Sequence, residues 1–568
     1  MLRTSLSVVG CAAFLAPQAL AVSVTGPSSS QSPYLVATSP SVSKVVSIMT
    51  VGDSVNLKPD GLTPYRAVGI MDGLGAYDNG DGTFTLLMNH EIGSVFPDPT
   101  PASIEPSEVF GTTRAHGNNG AFVSRWTIEK STLRVIEVQD FLPNSTSVFL
   151  SNNNPSAGAI HTAYLDADTT TFLRLCSADL AAPSAYRWTD TNTGVTYGTD
   201  ALIFQSGEES SGVITSPLNG PEARIDIGRQ FAFVATDDSS IVGDQARTAY
   251  ELPHAGLFSW ENNLASPFAQ RKTIVAGMDD STGGQVYFWV GDKQQTGNVV
   301  ERAGLTYQSA NDGLFVVKVD GLAPDGTGAT NESRGSPLTG SFSLEREGDV
   351  SGLTFGQLES LSDTKGGTQF LRPEDGQWDP NSPNDYYFVT TDRYDQVKDG
   401  VGAQVGRSRL YRLRFTDIAN PELGGSIEAL LDGSEAGNMF DNMTIGADGN
   451  IYIQEDVGGQ QHSSKLWRYS IAGDSLTEIL QHDPARFGGL GLAATAPFNQ
   501  DEESSGIIDV SHILGKGWFL ATVQAHYSLG GELVEGGQLL AINVIPEPAA
   551  PALGLMALAG LTLRRRRA

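Results

Sequence analysis

The sequence predicts an all-β chain folded as a single large β-propeller with inserted loops. Three observations carry that expectation. Short apolar or alternating runs recur along the whole body, among them TFTLLMNHEI, QVYFWVGDK, DYYFVTTD, GNIYIQED and GGQLLAINV, and such runs bounded by turn residues read as strands. Clusters such as DNGDGT, APDGTG and GADGN stand between them, and Gly, Asn and Asp supply the backbone conformations of hairpin turns. Long helical periodicity is nearly absent, and 64 glycines and 28 prolines punctuate the 568 residues. So many short strands with no low-complexity linker between them favour a propeller over one sandwich. No blade repeat is clean enough to count.

The two ends read differently from the body. Residues 1–21 combine Arg3, the apolar run LSVVGCAAFLAP and the small-residue stretch ALA ending at Ala21, the three parts of a cleaved export signal. The propeller domain is then expected over 22–543. In 544–568, VIPEP leads into fifteen mostly apolar residues and the arginines Arg564 to Arg567. That run is shorter than the roughly 20 residues of a comfortable membrane span, and the arginine cluster is a positive-inside stop. The tail resembles the PEP-CTERM sorting segments of envelope-forming bacteria. The resemblance implies an exported protein of the cell envelope or extracellular space, anchored in the membrane at least transiently through its tail, and handled by sorting machinery that removes it.

The chain carries 36 Lys and Arg against 65 Asp and Glu, a net charge of −29, and the basic ends make the body more acidic still. Nucleic acid is thereby excluded as a partner, since its phosphates demand the opposite sign. Carboxylates in excess suit divalent cations. Of the two cysteines, Cys11 leaves with the signal, so Cys176 is a lone thiol in a compartment where thiols usually pair. It reads as a small buried hydrophobe, a metal ligand or a reactive thiol.

Several apolar runs end in metal-competent groups: Asn89, His90 and Glu91; Asp237 and Asp238; Asp392; Glu455 and Asp456. Carboxylates at a sheet rim can converge on a hard cation, and they can equally cap turns. The hexapeptide GEESSG at 207–212 recurs as DEESSG at 501–506, so Glu208, Glu209, Glu502 and Glu503 are candidate ligands from two equivalent blades, or matching turns. HExxH, Walker, GxSxG and CxxC signatures are all missing. In FLRPEDGQWDP, Arg372 and Glu374 share one face of an extended run, and Pro373 marks a sheet edge or rim.

Six stretches, IMDGLGAYDNGDGTFTLLMNHEIG, RLCSADLA, HAGLFSWEN, FLRPEDGQWDP, YYFVTTD and GNIYIQED, resemble in this order the PhoX-type alkaline phosphatases and their secreted relatives. The resemblance spans residues 65–530. It implies a β-propeller that hydrolyses small phosphorylated substrates, the phosphomonoesters, at a pair of ferric ions sharing a cysteine thiolate, with calcium ions beside them. On this chain the bridging thiolate falls on Cys176, further metal ligands on Glu261, Glu374 and Glu91, and the phosphate clamp on Arg372. Asp392 and Glu455 fall to calcium. Two positions depart from the family pattern: Arg3 stands alone where a twin-arginine signal is usual, and Thr171 occupies an expected aspartate position. Both leave open an alternative without catalysis, a calcium-binding propeller of the envelope or extracellular matrix.

Overall fold

The structure, a computed structural model, describes residues 21–93, 111–150, 171–215, 224–322, 330–332, 338–392, 408–458 and 461–545. The signal segment and most of the C-terminal tail lie outside them. Among the described residues no helix is long and apolar enough to cross a membrane.

Strands dominate, and they form an all-β propeller as the sequence predicts. Six blades can be counted among the described residues. Blade 1 runs outward from Met71–Asp78 through Thr83–His90 and Phe122–Glu129 to Val135–Asp140. Blade 2 is built on Ile203–Gly207, and blades 3 and 4 start from Trp260–Ala265 and Pro373–Trp378. The latter two are merged into one nine-stranded sheet by Thr339–Gly348. Blades 5 and 6 start from Phe440–Ile445 and Glu502–Asp509.

Closure comes from the chain's two ends. The N-terminal strand Val42–Thr50 pairs antiparallel with Val534–Val544, with Val46 opposite Ala541, inside blade 6. A ring sealed in this way leaves no open radial edge for another chain to extend. The hairpin turns follow the expected chemistry: Gly80, Gly82 and Gly449 all adopt positive φ, which a side-chain-bearing residue reaches only at a cost.

The innermost strands are buried along most of their length, because their neighbours on both sides are other inner strands. Such packing needs small residues at the closest approaches. A Cβ on Gly73 would lie 2.2 Å from the backbone nitrogen of Ala178, and one on Gly207 would lie 2.2 Å from the Trp260 side chain. Polar side chains caught in this layer find partners across blades. Asp375 accepts the Met443 amide at 2.8 Å and a hydrogen bond from Asn262 Nδ2, which ties blades 3, 4 and 5 together at the axis.

Candidate metal centre

At one end of the axis the inner strands of five blades begin alike. Asp72, Glu261, Glu374, Asp441 and Glu503 are each the second residue of the inner strand of blades 1, 3, 4, 5 and 6. Blade 2 supplies Cys176 from a segment that bridges to its inner strand, with Leu175 opposite Glu208 and Leu180 opposite Phe204. Because this segment runs antiparallel to Ile203–Gly207, Glu209 just past that strand's end returns to the level of Cys176.

The result is a continuous patch of donors. Cys176 Sγ lies 3.1 Å from Asp72 Oδ2 and 3.2 Å from Glu261 Oε1. Three overlapping groups could each hold a cation: Asp72 with Glu91 and Cys176; Cys176 with Glu209 and Glu261; Glu261 with Glu374 and Asp441. Within each, one ligand atom per residue lies within 4.8 Å of the others. The backbone carbonyl of Cys176 is itself fixed by Asn89 Nδ2 at 2.6 Å.

Electrostatics argue that these groups are built around positive charge. Burial, followed by the fields of Asp72 and Glu261, pushes the Cys176 thiol well above its ordinary range. Burial, then Glu374 and Glu209, does the same to the Glu261 carboxyl. Asp72 is raised to about 7 and Glu91 to about 8, in both cases chiefly by burial. Buried acids crowded together stay neutral unless cations repay the lost hydration. Glu374 Oε1 adds a direct sign: it is buried, accepts no well-formed hydrogen bond, and lies 3.0 Å from the Arg372 guanidinium. Its donor atoms, orphan oxygen and buried thiol fit a metal cluster.

Two arginines flank the acids. Arg372 donates from Nε and Nη2 to Asp280 at 2.8 and 2.7 Å, while Nη2 also faces Glu374. Arg174 donates from Nε and Nη2 to Glu209, and its Nη2 lies 2.6 Å from Glu91 Oε1. On the blade 6 side, His526 Nδ1 is 2.8 Å from Glu535 and Nε2 is 3.7 Å from Glu503. Burial works against its charge, yet Glu535 and Glu503 together hold His526 well above the usual imidazole range.

Cys176, Glu261, Glu374 and Glu91 thus converge, with Arg372 beside them. Glu455 is placed otherwise. Its carboxylate accepts from the Asn438 amide, Trp467 Nε1 and the Lys465 amide at 2.8, 2.7 and 3.0 Å, and pairs with His462 at 2.9 Å. Those donors occupy the lone pairs a cation would need, so Glu455 anchors blade 5. Asp392, fully buried, follows the second strand of blade 4, and its amide bonds the Leu371 carbonyl. Neither residue belongs to the three clusters found among the described residues.

Other sequence candidates also resolve. His90 is a core histidine, held between the Gly69 carbonyl and Ser124 and lowered to about 3 by burial. Thr171 accepts from Asn118 through its hydroxyl and from Arg229 through its carbonyl; the carboxylate touching the thiol comes from Asp72 instead. In the repeated hexapeptides the second glutamate of each pair, Glu209 and Glu503, faces the axis. The first glutamates are structural: Glu208 is gripped by Arg229, and Glu502 sits by His482 and the Ser464 amide.

Fold and site together define a six-bladed propeller that carries, at one end of its axis, a buried cluster of carboxylates and a thiol. The fold is similar to that of PhoX from Pseudomonas fluorescens, solved in complex with vanadate, a transition state analogue. That likeness has a TM-score of 0.55 at 12% identity, over 92% of this chain and 97% of that one. Two looser likenesses, on which nothing below rests, are to a putative 6-phosphogluconolactonase from Bacteroides uniformis and the β-propeller domain of the Trilobed protease from Pyrococcus furiosus. The first has TM-score 0.27 at 8% identity, over 71% of this chain and 83% of that one. The second has TM-score 0.29 at 6% identity, over 85% and 100%. No family model and no curated protein matches the chain by sequence.

Proposed function

We propose that this protein is a metal-dependent phosphomonoester hydrolase of the PhoX type. The observation that carries the reading is the contact of the lone thiol, Cys176, with carboxylates from blades 1 and 3 in a cluster flanked by a guanidinium. A calcium-binding propeller of the envelope or extracellular matrix has no need to bury an unpaired thiol among acids, whereas a transition-metal site uses both donor types. Vanadate, bound by the structurally similar PhoX, mimics the phosphoryl transition state, and the same class of anion suits Arg372 here.

The donor sets sort the cations. Groups containing Cys176 offer a soft sulfur ligand and suit a transition metal such as an iron pair. The all-oxygen set of Glu261, Glu374 and Asp441 suits calcium. Bound there, the cations would polarise a phosphoryl oxygen and activate an oxygen nucleophile. Asp280 holds Arg372 in place, so that the guanidinium is oriented before substrate arrives, and it meets the non-bridging oxygens as charge builds on them. Glu503 pairs with His526 on the blade 6 side of the same acid cluster.

Export under the N-terminal signal and retention at the envelope through residues 544–568 complete the proposal. The test is hydrolysis of a chromogenic phosphomonoester by the purified protein before and after chelation, with iron and calcium restored singly and together. Turnover that chelation abolishes and metals restore supports the reading. Metal-loaded protein that turns over no monoester would overturn it.

A further inference from the structure

We propose that Arg174 is a second anion-binding guanidinium, so that the site grips a doubly charged phosphate-class anion between Arg174 and Arg372. The inference rests on the anion-site reading of Arg372 above and extends it to a residue with no assigned role.

The two arginines are built alike on unrelated segments. Each stands two residues before a candidate metal ligand: Arg174 before Cys176, Arg372 before Glu374. Each adopts a left-handed backbone conformation, with φ of 40° for Arg174 and 59° for Arg372. Long side chains avoid that region unless their surroundings hold them there, and such positions cluster at binding sites. Each also uses the same edge of the guanidinium in the same way. Nε and Nη2 of Arg174 engage Glu209, and Nη2 reaches Glu91. Nε and Nη2 of Arg372 engage Asp280, and Nη2 reaches Glu374. In both cases one carboxylate holds the Nε and Nη2 edge and a second pairs with Nη2.

Accessibility points the same way. The Arg174 and Arg372 side chains are 33% and 14% exposed, whereas Glu91 and Glu374 paired with them are 9% and 3% exposed. In each pair the arginine is therefore the more exposed partner. The competing explanation is that Arg174 only neutralises Glu91 and Glu209. A lysine could do that, since neutralisation needs charge and not a planar fork.

The chemistry also sets the substrate class. A terminal phosphoryl group brings two charges and three non-bridging oxygens to the two guanidinium groups, where a phosphodiester brings one charge and two oxygens. The site so built selects monoesters.

The test is calorimetric titration of the full chain with inorganic phosphate, which reads the anion site whether or not any ester is turned over. It is paired with hydrolysis of 4-nitrophenyl phosphate and bis(4-nitrophenyl) phosphate by wild type, Arg174→Lys and Arg174→Gln. Melting temperature and metal content are followed in each. Expected is a loss of phosphate affinity of about tenfold or more in both variants, with metal content and melting held in Arg174→Lys and monoester preference over diester reduced. Unchanged phosphate affinity in Arg174→Lys overturns the proposal, as does a loss of affinity that appears only in Arg174→Gln together with lost metal. If wild type binds phosphate through Arg174 yet hydrolyses neither ester, the catalytic reading falls and this inference stands.

Discussion

Sγ of Cys176 and Oε1 of Glu261 lie 3.2 Å apart across 85 residues of sequence. Burial holds the thiol protonated, well above its ordinary range, so that it donates to the Glu261 carboxylate. A cation bound there would take the place of that proton. Replacing Cys176 with Ala should therefore remove metal from the thiol-containing groups and lower phosphomonoester turnover by at least about 100-fold. The fold, read by circular dichroism, should persist.

The crowded acids set a pH dependence. Unfolded carboxyls titrate near about 4, whereas Asp72 and Glu91 in the fold titrate at about 7 and about 8. Between these limits the folded, cation-free protein keeps protons that the unfolded chain releases, so its stability is greatest on the acid side and falls as pH rises towards 8. In chelator the melting temperature should fall from pH 5 to pH 8. Added calcium should raise it most at pH 8, because cations bound only by the folded state stabilise it. A melting temperature insensitive to both would contradict cation sites here.

Glu455 should behave unlike the acids of the cluster. Replacing it with Ala strands the buried Trp467 indole N–H and two backbone amides, at a cost of at least about 2 kcal/mol in unfolding free energy. Metal content should stay at the wild-type level. Glu261→Gln should do the reverse, losing metal while the chelated protein becomes more stable at pH 8.

Arg372→Lys keeps a positive charge but loses the planar fork that Asp280 aligns. Steady-state kinetics should show KM for a monoester raised by about tenfold, with a smaller change in kcat, as bidentate contacts are replaced by a point charge.

Much of the fold was legible because hairpin signals are local: Gly80 and Gly82 of DNGDGT and Gly449 of GADGN take the positive φ their turns need. Blade number was not legible, since pairings such as Val46 with Ala541 join the chain's two ends. The resemblance led to four members of the candidate cluster, Cys176, Glu261, Glu374 and Glu91. Asp72 and Asp441 went unnoticed in the sequence, although MDGL, WENN, PEDG, FDNM and EESS share an acid at the second position of a strand. That signal becomes readable only once the inner strand of each blade is known. Glu455 shows why: it ends the second strand of blade 5, and nothing local separates such a position from Glu91, which follows the second strand of blade 1 and does reach the cluster.

The central claim is that Cys176 and the carboxylates around it form a metal centre. Anomalous diffraction from crystals of the protein purified from its native source, collected on both sides of the iron edge, tests it most directly. The account predicts an anomalous peak within bonding distance of Cys176 Sγ that also contacts Glu261 or Asp72. A well-ordered cluster with a protonated thiol, and no scatterer heavier than oxygen beside it, would contradict the claim.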